Sequence, residues 1–100
     1  MLDNKYLLEL LRAIAESPYQ GISNLQLVEK FIGPAASVPD NDPDSAYKFR
    51  YHMEEIWRAG LIRNRDTNSE SWGLSLSASG SWMIMQMHLV LSPSGGALLE

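Results

Sequence analysis

Cysteine is absent from this chain, and histidine occurs only as His52 and His88, far apart in sequence. The first absence excludes a disulfide framework and a thiolate metal site, and the second leaves structural zinc without a ligand set. No run approaches the ~18 apolar residues of a membrane span. Met1 to Lys5 also lacks the charged and apolar regions of a secretion signal, so a cytoplasmic chain without membrane contact is expected. Equally missing are a phosphate-cradling glycine loop, G-x-S-x-G, H-E-x-x-H and a cysteine nucleophile, and neither histidine sits in a base motif. No enzyme, cofactor or small-molecule substrate is therefore implied. A general basic excess is lacking too: the formal charge is −4, which taken alone argues against nucleic acid.

What the chain does contain suffices for one small domain. Its one hundred residues are 45% apolar, with three Trp, four Tyr and two Phe, enough for a modest core without metals or cross-links. Charge is distributed unevenly. Between Ala46 and Arg65 stand Lys48, Arg50, Arg58, Arg63 and Arg65 against Glu54 and Glu55, about +3, leaving about −7 for the remainder.

Leu2, Tyr6, Leu7, Leu10, Leu11 and Ile14 recur at helical spacing and predict a first helix from about Asp3 to Ser17, ended by Pro18. Ser23 and Gln26 have the spacing of a capping box, opening a second helix whose Leu25, Val28, Phe31 and Ile32 share a face. Gly33 and Pro34 stop it, and the stretch to Asp42 reads as a loop. Asp42 as N-cap and Pro43 at the first position begin a third helix, over 43–59. Ala46, Phe49, Met53, Ile56, Trp57 and Gly60 fall on one of its arcs, with Tyr47, Lys48, Tyr51, Glu54, Glu55 and Arg58 on the other.

Leu61 to Arg65 and Glu70 to Leu76 then predict a two-stranded hairpin, turned by Asp66-Thr67-Asn68-Ser69. Ser77 can cap a last helix from about Ala78 to Leu89 or beyond, apolar on more than one side and so expected to be buried on two faces. Residues 1–91 form the expected domain. Residues 92–100 read as a flexible tail, with Leu99-Glu100 as an expression scar.

The resulting expectation is a mainly α chain with a small β-hairpin, an α+β fold of three helices, a two-stranded wing and a C-terminal helix. The run Tyr51-His52-Met53-Glu54-Glu55-Ile56-Trp57-Arg58-Ala59-Gly60-Leu61-Ile62 resembles the HLxxLxxAGLI signature that ends the recognition helix of winged helix-turn-helix regulators. Leu76-Ser77-Ala78-Ser79-Gly80 is similar to the LTxxG element that leaves their wing. The segment is most similar to that of small, functionally uncharacterised bacterial and phage winged-helix proteins with a YHLxLLxxAGLI-type sequence. Met53 and Ile56 stand where leucines are usual, and Ser77 replaces Thr as a cap. Asp40, Asp42 and Asp44 place carboxylates where phosphates would approach.

That resemblance implies duplex DNA as partner and a role in transcription regulation, with helix 43–59 in the major groove and wing 61–76 on the backbone. Tyr47, Lys48, Arg50 and Tyr51 would meet base edges and phosphates, and Arg63 and Arg65 a neighbouring backbone. The alternative is a winged-helix protein-interaction module without DNA binding. Trp82, Met83, Met85, Met87 and Leu89 are candidates for a homodimer interface. His52 reads as structural, and no metal site is expected.

Overall fold

The computed structural model describes residues 2–33, 43–66, 71–76 and 82–99. Its radius of gyration, 12.8 Å, is about that expected of a single domain of this length.

The helices follow from their caps and apolar periodicity. In α1 (Asn4–Ala15), the Asp3 carboxylate accepts from the Tyr6 N–H at 3.2 Å, and Leu7, Leu10, Leu11 and Ile14 turn inward. Each fully buried leucine contributes about 1.5–3 kcal/mol of hydrophobic stabilisation. Gly21 turns the chain at φ +81°, where a Cβ would stand 2.9 Å from the Leu89 carbonyl oxygen. Strand β1 (Ile22–Ser23) follows, then α2 (Asn24–Phe31), opened by the expected Ser23/Gln26 capping box. Its buried residues are Asn24, Leu27 and Val28, so Leu27 rather than Leu25 faces the core.

Helix α3 (Pro43–Arg58) buries Ala46, Phe49, Met53 and Ile56 completely. The expected cap, Asp42, lies outside the described residues, as does Asp40. Asp44 is exposed in the first helical turn, a position that suits the helix dipole. The helix closes in a Schellman motif. Leu61 N–H donates to the Ile56 carbonyl and Gly60 N–H to that of Trp57, both at 3.0 Å, with Gly60 at φ +72°.

Beyond Gly60 the order of elements departs from expectation. Strand β2 (Ile62–Asn64) forms where a strand was predicted, but β3 (Leu74–Leu76) is not its partner. Residues 82–91, expected to be helical, hold β4 (Trp82–Ile84) and β5 (His88–Leu91). Two antiparallel sheets result, a three-stranded one in the order β1-β5-β2 and a β3-β4 hairpin. Ile22 lies opposite Leu89, Ile62 opposite Leu91 and Leu74 opposite Ile84. The apolar surplus of the presumed last helix is the mark of strands with apolar residues on both faces, a pattern in which period two cannot be seen.

The predicted flexible tail contains α4 (Pro93–Leu99). The chain holds Leu-Ser-x-Ser-Gly twice, at 76–80 and at 91–95, and the strand-to-helix passage occurs at the second. Ser92 Oγ accepts from Gly95 N–H at 3.2 Å and donates to the Gly60 carbonyl, while Ser92 N–H donates to the Leu61 carbonyl at 2.9 Å. A Cβ on Gly95 would fall 2.1 Å from the Leu61 oxygen, so the start of α4 needs glycine against the end of α3.

Two side chains bind the β-rich part to the helices. Asn24, fully buried at the start of α2, donates to the carbonyls of Trp72 (2.9 Å) and Met85 (2.8 Å) and accepts from Met87 N–H (3.3 Å). Trp72 is fully buried edge-on to Phe49, with ring centroids 5.7 Å apart, and its Nε1–H donates to Glu54 Oε1 at 3.2 Å. The chain is thus an α+β domain that, among the described residues, joins four helices to a small three-stranded antiparallel sheet and a β3-β4 hairpin.

Candidate functional site

With its inner face in the core, α3 turns Tyr47, Arg50, Tyr51, Glu54, Glu55 and Arg58 outward, where they line one open groove. Tyr47 is 56% and Tyr51 41% exposed, large values for rings that a helix could otherwise have buried. Charge within the groove is divided along its length. In the C-terminal half Arg58 lies 4.0 Å from Glu54 and 3.7 Å from Glu55, and Glu54 also accepts from Trp72. In the N-terminal half Arg50 makes no ion pair among the described residues. Among the described residues, a planar cation without an ion-pair partner, flanked by two phenols, is therefore the polar set of this half.

Lys48 sits on the flank towards α1. Its Nζ is 3.3 Å from Asp3 Oδ2 and 4.6 Å from the centre of the Tyr6 ring. Asp3 is fixed from two sides, since its own N–H donates to His52 Nε2 at 2.9 Å. His52 is 1% exposed, and its Nδ1 lies 2.7 Å from the Lys48 carbonyl oxygen. An imidazole that accepts at Nε2 must carry its proton on Nδ1, so the ring joins α1 to α3 as a neutral donor and acceptor. The Tyr6 N–H, and secondarily Lys48, hold the Asp3 carboxyl below the usual carboxylate range. Tyr6, half-buried beside His52, has its phenol pushed up to about 12 by desolvation and by Glu9.

Arg63 and Arg65 do not join this face. Arg63, exposed on β2, lines a different groove with Ala15, Pro18, Leu91 and Pro93. Arg65 forks onto Asp66 through Nε (2.8 Å) and Nη2 (2.9 Å) and donates from Nη1 to the Gln20 carbonyl at 2.7 Å. That pairing lowers the Asp66 carboxyl and raises the Arg65 guanidinium. Of the six residues expected to bind DNA, the fold brings together Tyr47, Arg50 and Tyr51, with Lys48 alongside.

The expected interface residues separate likewise. Met83 and Met85 are 58% and 74% exposed, Trp82 and Met87 are partly buried against the core, and Leu89 is fully buried. Leu89 is fully buried on β5, the central strand, which removes it from any intermolecular surface. Asn24 is the polar residue that sequence reasoning missed. Its signal was slight, an asparagine after a capping serine.

Among the described residues no three His, Asp or Glu side chains are grouped to hold a metal ion, and no helix is long and apolar enough to cross a membrane. No family model, curated protein or solved structure matches the chain.

Proposed function

We propose that this domain is a winged helix-turn-helix protein that binds duplex DNA through the N-terminal half of α3, in the service of transcriptional control. In this reading β2 and β5 are the wing strands, and the β3-β4 hairpin is an insertion between them. The supporting observation is the exposed Tyr47 and Tyr51, with the partly exposed Arg50 between them in one open groove, on a helix whose other face is fixed to the core. Arg50 has the fork geometry for the N7 and O6 atoms of guanine, and the two tyrosines offer hydroxyls to phosphates on either side. The exposed Lys48–Asp3 pair is weak enough for a phosphate to displace the carboxylate.

Because few cations face this site, affinity depends on base contacts more than on counterion release. Two α3 cations predict a slope of log affinity against log salt of about −2 per copy. Fluorescence anisotropy with duplexes from the DNA flanking the protein's own gene tests the reading. Saturable binding to one fragment, weakened about tenfold or more by Arg50→Ala, is expected. A second reading, a protein-docking face, is favoured by the balanced charge of the groove and by the Arg65–Asp66 fork. Folded protein that binds neither these fragments nor bulk duplex at low salt would exclude DNA in favour of that alternative.

A further inference from the structure

The β3-β4 hairpin has an unusual outer face. Its inner side chains, Leu74, Trp82 and Ile84, pack against the core. Its outer ones are Ser75, Met83 and Met85, the last held in the ladder by its N–H donating to the Gly73 carbonyl at 2.8 Å. Antiparallel sheets with one face in water normally carry polar residues there. Here the strand places two flexible thioether side chains side by side in solvent.

The surrounding sequence bears on what meets this face. Residues 71–99 contain no Lys, Arg, Asp or Glu, although the chain as a whole carries −4. Elsewhere two copies would approach with like net charge. Across the hairpin they meet without that penalty, and charge depletion with methionine enrichment is the composition of interface centres. A neutral surface gives no electrostatic guidance to nucleic acid or to a charged partner. A second copy needs none, because a two-fold contact sets the same patch against itself.

We infer that the outer face of the β3-β4 hairpin, centred on Met83 and Met85, is the surface through which two copies of this chain associate. The inference stands apart from DNA binding, but it strengthens that reading: a dimer presents two α3 helices and doubles the small set of cations available to one duplex.

Sedimentation equilibrium of the full chain over about two decades of concentration tests it. Wild type is expected to pass reversibly from monomer to dimer. Met83→Glu/Met85→Glu, which puts carboxylates face to face across the contact, should raise the dissociation constant at least about tenfold while leaving the circular dichroism spectrum intact. Met83→Ser/Met85→Ser gives a second test, removing apolar area without adding charge, and should also weaken the dimer. Tyr19→Ser, at a residue 89% exposed outside the hairpin, should leave association unchanged. A chain that stays monomeric throughout, or a dimer indifferent to both double variants, overturns the inference. Arg50→Ala separates the two proposals, since it should weaken DNA binding about tenfold or more and leave the dimer intact.

Discussion

Along α3, Ala46, Phe49, Met53 and Ile56 are buried while Tyr47, Tyr51 and Arg58 stand in water. Along Trp82-Met83-Ile84-Met85 exposure alternates just as regularly, but the exposed members are methionines. The helix separates its faces by polarity as well as by geometry, and the strand by geometry alone. Backbone period therefore decides which side is inside, whereas hydropathy reports that decision only where the outer side is polar. An outer face that is apolar calls for a further explanation, and the proposed association of two copies is one.

The first way to break the comparison is to remove what holds the β-rich part on the helices. Trp72→Ala deletes a fully buried ring, its edge contact with Phe49 and the Glu54 hydrogen bond. A loss of about 3–5 kcal/mol in denaturant unfolding is expected. Asn24→Ala follows, at about 2–4 kcal/mol, because it leaves the Trp72 and Met85 carbonyls without their amide donor. If the hairpin were an independent appendage, hydrogen exchange in Leu74–Leu76 and Trp82–Ile84 would not respond to Asn24→Ala. The clamp predicts that protection there falls first.

Smaller changes sharpen the contrast. Ser23→Ala removes the capping box of α2 and should cost about 1 kcal/mol. Met83→Ser/Met85→Ser, measured in dilute protein where copies are apart, should change unfolding by less than about 0.5 kcal/mol. A larger loss would mean that the outer face supports the fold itself.

The last effect is nil at neutral pH. Tyr6 has its pKa raised from 10.0 to about 12, so folding favours its neutral form. Its contribution is complete below the unfolded value of about 10 and is lost as pH rises through the folded value of about 12. Ultraviolet titration should show a phenol ionising at a pH of about 12, and Tyr6→Phe should remove that step.

These same contrasts explain what could be read in advance. Asp3, the Ser23/Gln26 box and the Gly60 terminus are local signals, and the helices they bound appear where expected. The strand at Ile62–Asn64 was legible, but its partner was not, because Leu89 and Leu91 are distant in sequence and lay in a segment that resembled a helix. Ser92-Pro93-Ser94-Gly95-Gly96 looked like linker because glycine usually loosens a chain. Gly95 serves instead to let α4 touch the Leu61 backbone. For the site, Tyr47, Tyr51, Glu54, Glu55 and Arg58 followed from periodicity, whereas Arg50 takes the place in the groove that the same reading gave to Lys48, and Arg65 forks onto Asp66 away from it.

The strand order β1-β5-β2 has a consequence for the time course of synthesis. The middle strand is the one translated last, so β1 and β2 emerge from the ribosome with a gap between them. Helices α1 to α3 can collapse on one another while the chain is still growing. The sheet must wait for His88 to Leu91, and until they arrive the nascent domain carries two open edges that a chaperone, or a neighbouring nascent copy, could occupy.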